Sequence, residues 1–337
     1  MKNISILMLS AALVAFVTSV HAYTREEVVK RGYLHCGVST GSPGFSSVDA
    51  AGKWTGIDID ICRAVAAATL GDSSKVQYLP LAENEAFTAL LTGEIDILSR
   101  NSSWTYTRDS ALAVHFAGIS YYDGQGLMVA QKSGVERLSD LKNAAICSPV
   151  DSPFEQNLID YFNRNKVNYK TVVYDTLDLA VKGFEAEACN VISLPQSQLY
   201  GLRLGLTMPE NALVLPEVFS KEPLGPVVRQ GDDTWYNIVK WSLYAMVNAE
   251  ELGVSSQNIN EMKISNMLDV QRLFGLSGSG GKGLGLADNW AAEIIRQVGN
   301  YGEVYEKNFG SAAVNNIDRG LNRLWSEGGL QYAPPLR

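Results

Sequence analysis

Histidine and cysteine are scarce in this chain. It contains three histidines and four cysteines in 337 residues, and no Cys-x-x-Cys pair occurs. Because tetrahedral metal sites need closely spaced ligands of these types, the sequence predicts neither a metal nor another cofactor. Basic residues are also outnumbered by acidic ones, which gives a net charge of −8. Such a surface repels nucleic acid and anionic lipid, so neither is an expected partner.

Long apolar runs are missing as well, except at the N-terminus. Lys2 precedes the apolar stretch from Ile4 to Val20, and Val20-His21-Ala22 fits a small-x-small cleavage site. This layout is typical of a secretory signal peptide, so residues 1–22 are predicted to be removed. No cysteine stands at the cleavage point to carry a lipid. We therefore expect a periplasmic protein that is secreted and not lipid-anchored.

The four cysteines are expected to form disulfide bonds, because thiols pair in an oxidising compartment. Four cysteines allow three connectivities. The simplest joins the two cysteines within each half of the chain, which gives Cys36–Cys62 and Cys147–Cys189.

The chain is too long for one ordinary hydrophobic core, so two domains are expected. Apolar periodicity predicts strand, helix, strand, helix and strand over residues 34–98, and a similar alternation over residues 145–194. Each unit is typical of a parallel sheet with crossover helices. Two such units predict two α/β lobes, with a ligand site between them at the carboxyl ends of the strands.

Three further segments carry structural predictions. Ile57 to Leu70 has helical spacing of its apolar residues and stops at Gly71. Trp290 to Asn308 is also predicted to be one helix. The tail from Gly320 to Arg337 carries aromatic residues and prolines, and it is expected to lie as an ordered strap against the fold.

The stretch from Asp96 to Asp109 is the most informative for function. A predicted strand leads there into a loop rich in hydroxyl groups, with an amide and two guanidinium groups. Arginine suits a carboxylate, because its planar fork donates two parallel hydrogen bonds. Serine and asparagine add neutral groups that orient a ligand. An ordinary surface loop would explain the same residues, and this alternative stays open.

Other segments form a pattern together with this stretch. They are Cys36-Gly37-Val38, Pro43-Gly44-Phe45-Ser46, Trp54-Thr55-Gly56-Ile57-Asp58-Ile59-Asp60, Ser99-Arg100-Asn101, Trp104-Thr105, Tyr121 to Gly126, Ser220 to Pro226, Val298 to Glu303 and Tyr332 to Pro335. On these residues the chain resembles the periplasmic binding proteins of polar amino-acid ABC transporters, which are family 3 of the extracellular solute-binding proteins. Within that family it is most similar to the general L-amino-acid binding subgroup.

The resemblance implies an α/β, type II periplasmic-binding-protein fold, the Venus flytrap, with two lobes joined by two crossover strands. Lobe 1 would combine residues 23–122 with 224–337, and lobe 2 would span 123–223. The protein would be the solute-binding component of an ABC importer. It would capture a small polar, amino-acid-like ligand between the lobes and deliver it to the permease subunits. A monomer without enzymatic activity is expected.

The resemblance also implies residue roles. Carried over by position, Arg108 would bind the ligand carboxylate, and Asn101 and Ser103 would lie near the charged groups of the ligand. The expected ligand-binding set is completed by Ser99, Phe45, Asp151, Ser152 and Gln125.

The second lobe departs from the family pattern. Asp151-Ser152-Pro153 stands where the family usually shows Gly-Thr-Thr, and Pro153 has no N–H to donate to a carboxylate. Ser152 also fits a capping box with Glu155. Pro195 stands where the family usually carries an aspartate that pairs with the ligand's ammonium group. Because an unpaired buried ammonium is costly, this change predicts an altered ligand specificity.

Several explanations of this departure stay open. Asp151 could take over the ammonium, the ligand could lack an α-amino group, or the protein could bind amino acids poorly. We favour an altered ligand within the small polar class. Two other functions also stay open. One is an enzyme on the same fold, of the cyclohexadienyl-dehydratase type, with Asp151 or Glu155 as its acid–base group. The other is a ligand-sensing partner of a receptor.

Overall fold

The computed structural model describes residues 23–150, 154–278 and 280–337. The predicted signal peptide, residues 1–22, lies outside the described residues. So do Asp151 and Ser152, two of the predicted ligand residues, together with Pro153. Within the described ranges, every helix is too short or too polar to span a lipid bilayer.

Helices and strands alternate along the described chain. The strands are β1 (Leu34–Val38), β2 (Ser47–Val48), β3 (Trp54–Thr55), β4 (Val76–Pro80), β5 (Ile97–Leu98), β6 (Val114–Phe116), β7 (Tyr121–Asp123), β8 (Gln125–Ala130), β9 (Asn143–Pro149), β10 (Asn168–Tyr174), β11 (Val191–Pro195), β12 (Ala212–Val214), β13 (Glu222–Leu224) and β14 (Val227–Arg229). The helices are α1 (Thr24–Arg31), α2 (Ile57–Leu70), α3 (Glu83–Thr92), α4 (Tyr106–Ala111), α5 (Glu155–Asn165), α6 (Leu177–Glu185), α7 (Gln196–Leu204), α8 (Asp233–Glu251), α9 (Ile259–Met262), α10 (Leu268–Leu273), α11 (Trp290–Gln297) and α12 (Tyr301–Phe309). Short 3-10 turns lie at Gln131–Ser133, Leu138–Asp140, Pro209–Asn211, Lys282–Leu284, Gly320–Asn322 and Trp325–Glu327.

The first five-stranded sheet has the strand order β4-β1-β5-β14-β6. β1 pairs in parallel with β4 and with β5, as the alternation over residues 34–98 predicts. β14 pairs antiparallel with β5 and with β6. The sheet is therefore mixed and not purely parallel, because a strand that returns from the other lobe completes it.

The second five-stranded sheet has the order β10-β9-β11-β8-β12. β9 pairs in parallel with β10 and β11, and β8 pairs antiparallel with β11 and β12. The predicted architecture of two α/β lobes is thus confirmed, with an antiparallel addition to each sheet.

Two short strands connect the lobes. β7 leads from the first lobe into β8, and β13 leads back towards β14. They pair antiparallel, with Asp123 opposite Glu222 and Tyr121 opposite Leu224. We call this pair of strands the hinge ribbon. It provides the two crossover strands that the resemblance implies.

Each sheet is covered by apolar side chains on both faces. Successive strand residues point to opposite faces, so Ile97 and Val228 join one cluster of the first lobe whereas Leu98 and Val227 join the other. The second lobe is built in the same way, with separate clusters on the two faces of its sheet. Each lobe therefore has its own core.

One disulfide bond lies in each lobe. Cys36 in β1 is joined to Cys62 in α2, with their Cα atoms 6.3 Å apart. Cys147 in β9 is joined to Cys189, just before β11, with a Cα–Cα distance of 5.5 Å. The predicted pairing is confirmed.

The single helix predicted from Trp290 to Asn308 is wrong, because α11 and α12 divide this segment. Gly299 separates them and has a φ angle of 106°, a backbone conformation that residues with a side chain rarely adopt. Asn300 then caps α12, since its side-chain oxygen accepts a hydrogen bond from the Glu303 N–H at 2.8 Å.

The C-terminal tail lies as an ordered strap, as predicted. The Asn322 side chain accepts a hydrogen bond from the Tyr122 N–H at 2.7 Å and donates one to the Tyr122 carbonyl at 3.1 Å. Further along, the Gln331 amide donates to the Tyr301 hydroxyl at 2.9 Å. The strap therefore holds one strand of the hinge ribbon from outside.

Candidate functional site

A cleft of about 930 Å³ lies between the two lobes, which is at the upper end of the usual range for small-molecule sites. The first lobe lines it with the loops that follow β1 and β5, with the start of α3 and with α4. The second lobe contributes the start of α5 and most of the length of α7, and the hinge ribbon supplies the remainder. The cleft therefore lies at strand ends between the lobes, where the sequence predicts a ligand site.

Arg108 lies on the first-lobe side of the cleft. It sits in α4, whose N-cap Thr105 accepts a hydrogen bond from the Arg108 N–H. Its guanidinium donates to the Ser103 carbonyl at 3.1 Å and to Glu83 Oε1 at 2.7 Å, and it lies 5.3 Å from the centre of the Phe87 ring. These contacts fix the orientation of the guanidinium while 26% of the side chain remains exposed.

Arg100 lines the same side of the cleft. Its guanidinium makes no hydrogen bond or ion pair with any residue in the described ranges, and its Nε atom is buried without a partner. Burial lowers the pKa of Arg100; the charges of Glu83 and Asp58 oppose this effect, whereas Arg108 reinforces it. We call Arg100 and Arg108 the basic wall. One of its two cations is bound by protein groups and the other is not.

Asp58 lies beneath the basic wall, in the first turn of α2, and is only 1% exposed. Its Oδ1 atom accepts a hydrogen bond from the Ser99 hydroxyl at 3.2 Å, and its carboxylate also accepts one from the Asn101 N–H. Its Oδ2 atom has no partner in the described chain. Burial raises the pKa of Asp58 to about 7. Asp58 thus holds a loop in which Asn101 adopts a left-handed φ angle of 47°.

Two carboxyl groups, Asp123 and Glu222, line the cleft at the hinge ribbon. We call them the hinge acids. Asp123 is 9% exposed. It accepts hydrogen bonds from the Gly124 N–H at 2.9 Å and from the Ser197 hydroxyl at 2.5 Å. Burial, with a smaller contribution from the charge of Glu222, raises the pKa of Asp123 to about 6, although its hydrogen bonds from Ser197 and Gly124 act to lower it. The hinge acids therefore concentrate negative charge at the floor of the cleft.

The structure brings three of the predicted site residues to the cleft. Arg108, Asn101 and Ser103 all line it. Ser99 does not line the cleft, because its fully buried hydroxyl is directed to Asp58 behind the wall.

Phe45 and Gln125 also lie away from the cleft lining. Phe45 is 2% exposed, with its ring centre 5.1 Å from those of Tyr121 and Phe309 in the first core. Gln125 is fully buried, and its amide donates to the Phe154 carbonyl at 2.8 Å and to the Ser193 hydroxyl at 2.9 Å. Both residues support the structure next to the cleft.

Other cleft residues were not identified from the sequence. Arg100 was visible as the second guanidinium of the informative stretch. The hinge acids become neighbours only through the pairing of two distant strands, so no local pattern reveals them. Further hydrogen-bonding groups come from Thr40, Ser42, Thr105, Thr107, Asn157, Ser197 and Gln198. In the described part of the chain, no group of three or more His, Cys, Asp or Glu residues is arranged to hold a metal ion.

Comparison with known proteins gives the same family as the motifs of the sequence. The family "Bacterial extracellular solute-binding proteins, family 3" matches residues 34–258. The "General L-amino acid-binding periplasmic protein AapJ" of Rhizobium johnstonii is 48% identical, over 98% of this chain and 99% of its own length. The "Glutamate/glutamine/aspartate/asparagine-binding protein BztA" of Rhodobacter capsulatus is 45% identical, over 97% of this chain and 96% of its own.

A solved structure is also similar over nearly the whole chain. It is a periplasmic binding protein of an ABC transporter from Brucella ovis with glutathione bound, at 45% identity and a TM-score of 0.84. The alignment covers 94% of this chain and 100% of that one.

Proposed function

Because this chain belongs to the bacterial extracellular solute-binding proteins of family 3, we propose that its cleft captures an amino acid or a small amino-acid derivative for an ABC importer. The charge pattern of the cleft carries this proposal. The basic wall presents guanidinium groups, and the hinge acids present carboxylates. A zwitterionic ligand carries the complementary charges, and such complementarity selects the ligand and its orientation.

We assign the α-carboxylate of the ligand to Arg108. Its guanidinium is held by the Ser103 carbonyl and by the Phe87 ring, so it is already oriented before a ligand arrives. Its other partner, Glu83, has a side chain that is 69% exposed. Because exposed ion pairs contribute little stability, a ligand carboxylate can displace Glu83. Asn101 and Ser103 would orient the same end of the ligand.

We assign the ligand's ammonium group to the hinge acids. Pro195 lines the cleft where the family pattern predicts an acid, so the ammonium needs another partner. Ser103, whose carbonyl accepts a hydrogen bond from Arg108, also forms an isolated antiparallel β-bridge with Leu224. Leu224 lies two residues along β13 from Glu222. Strand residues advance about 3.3 Å each. One small ligand can therefore span the distance from Arg108 to the hinge acids.

The ligands named for the relatives support this chemical class. They are L-amino acids for the Rhizobium and Rhodobacter proteins and glutathione, an amino-acid derivative with one ammonium and two carboxylate groups, for the Brucella protein. The named relatives are binding proteins and not enzymes. We infer that this cleft binds its ligand without converting it. Glu155, a candidate acid of the enzyme hypothesis, is not among the cleft-lining residues.

The proposal extends to the setting of the protein. We infer cleavage after Ala22, a periplasmic location, as for the Rhizobium relative, and delivery by a monomer to permease subunits. We also infer that lobe 1 combines residues 23–122 with 224–337 and that lobe 2 spans 123–223. The strands of the hinge ribbon support these borders, since they lie at 121–123 and 222–224.

The proposal can be tested by isothermal titration calorimetry on residues 23–337, refolded to remove any carried ligand. The panel holds the twenty L-amino acids, glutathione and small organic acids without an amino group. We expect micromolar or tighter binding of at least one L-α-amino acid or glutathione. Proton NMR of the mixture should show the ligand chemically unchanged after prolonged incubation.

The variant Arg108→Met tests the site. Loss of a charge-assisted hydrogen bond is worth about 1.5–3 kcal/mol, so we expect an affinity about 10- to 150-fold weaker. Arg137→Met is the matched control, because Arg137 is also paired with a glutamate, at 2.8 Å, but lies outside the cleft lining. The proposed function would be refuted if no member of the panel bound, or if the protein converted a bound ligand.

A further inference from the structure

The cleft holds one more cation than the binding of an α-amino acid requires. Arg108 is bound by Ser103 and Glu83, whereas Arg100 has no hydrogen-bonding or ionic partner among the residues that the structure describes. We infer that Arg100 binds a second anionic group of the ligand. The preferred ligands would then be acidic amino acids or small peptides with a second carboxylate. This inference rests on the proposed function.

The neighbouring acids do not neutralise Arg100. Glu83 is paired with Arg108 at 2.7 Å, and its side chain is 69% exposed, so water screens its charge whether or not a ligand displaces it from Arg108. Asp58 is too far away to form an ion pair, and burial raises its pKa to about 7, so its negative charge is only partly developed at neutral pH. The hinge acids are not among the charges that act noticeably on Arg100.

An unpaired, half-buried guanidinium is an unfavourable arrangement, because burial removes water that the protein has not replaced. The Nε atom of Arg100 shows this loss directly, because it is buried and has no hydrogen-bond partner in the described chain. A carboxylate that enters the cleft restores the missing partner and can accept two parallel hydrogen bonds. A neutral ligand leaves the guanidinium unpaired and desolvated further. Arg100 should therefore discriminate between acidic ligands and their neutral analogues.

The placement of the two arginines suits such a ligand. Both line the first-lobe side of the cleft, so a molecule with two acid groups can contact both without crossing to the second lobe. Its ammonium group remains available to the hinge acids. The volume of about 930 Å³ also admits a ligand longer than a single small amino acid.

The test compares L-glutamate with L-glutamine, which differ only in the charge and composition of the side-chain end. Calorimetry at pH 7.5 on the wild-type chain should give L-glutamate at least a tenfold tighter dissociation constant. The variant Arg100→Met should weaken L-glutamate by about 10- to 100-fold and should not weaken L-glutamine. Arg100→Lys keeps the charge but not the fork and should fall between.

The outcomes separate this inference from the proposed function. If the wild-type chain binds L-glutamine more tightly than L-glutamate, or binds the two equally, the assignment of Arg100 is wrong and the proposed function stands. An equal loss of both ligands in Arg100→Met, beside an unchanged Arg137→Met control, would likewise overturn it. If neither glutamate, glutamine nor any other member of the panel binds, both proposals fall. The wild-type comparison needs no variant to fold.

Discussion

The buried carboxyl group of Asp58 should make the stability of the protein depend on pH in a specific direction. Burial raises the pKa of Asp58 from 3.8 to about 7. At 1.36 kcal/mol for each tenfold change in the protonation equilibrium, this corresponds to about 4 kcal/mol. The folded state binds the proton more tightly than the unfolded state. The stabilisation is therefore complete below pH 3.8 and is lost as the pH rises through about 7.

The variant Asp58→Asn removes the charge and keeps the shape. Its side-chain oxygen can still accept the hydrogen bonds from the Ser99 hydroxyl and the Asn101 N–H. Its amide nitrogen replaces Oδ2, which already lacks a partner in the described chain. We therefore expect the variant to be more stable than the wild type at pH 8, by up to about 4 kcal/mol. The difference should vanish near pH 4.

Urea denaturation followed by tryptophan fluorescence at several pH values from about 3 to 8 measures this difference. Asp72→Asn is the control of opposite sign, because Asp72 is exposed and hydrogen bonds from Ser74 lower its pKa. Its contribution to stability is present above pH 3.8 and is lost as the pH falls below that value. A free energy of unfolding that is lower in Asp58→Asn than in the wild type at every pH would refute the reasoning. It would mean that Asp58 is ionised and stabilised by the neighbouring cation Arg100.

Two further predictions concern the hinge and the second lobe. By calorimetry, Asp123→Asn should weaken the binding of L-glutamate about tenfold or more. The binding of glutarate, which lacks the ammonium group, should change by less than threefold. Because burial raises the pKa of Asp123 to about 6, the affinity of the wild type for L-glutamate should also decrease when the pH is lowered below 6. Equal losses for both ligands would contradict this role. Replacing Cys147 and Cys189 by serine opens a loop with a sequence separation of 42 residues and should cost about 4 kcal/mol in urea denaturation; an unchanged midpoint would contradict that estimate.

Local sequence patterns predicted the elements that depend on local physics. The bounds predicted for α2 agree with the structure, because its apolar spacing is regular and Gly71 ends it with a left-handed φ angle of 72°. The same reasoning missed the break between α11 and α12, where Gly299 interrupts a periodicity that continues on both sides. The antiparallel strand β14 was also missed, because its pairing with β5 depends on the return of the chain from the second lobe.

The cleft shows the same division. The resemblance of a short motif to the family predicts Arg108 at the ligand site, and its position in the cleft depends on a strand, a loop and a helix start that are adjacent in the chain. Arg100 belongs to that motif too, but its lack of a partner follows from the positions of Glu83 and Asp58, which only the folded chain brings near. The hinge acids depend on the pairing of β7 with β13. Roles that are set by distant neighbours cannot be read from spacing alone.

The contact between Asn322 and Tyr122 has a consequence for how the two positions can drift during evolution. Both hydrogen bonds end on backbone atoms of Tyr122, and every residue except proline offers the same N–H and carbonyl. The side chain at position 122 is therefore free to change as far as this contact is concerned. Position 322 is not, because the asparagine amide offers an acceptor oxygen and a donor nitrogen side by side, as these two backbone atoms require. We expect descendants of this chain to vary at 122 and to retain asparagine at 322, although 322 lies well beyond the segment that the family shares.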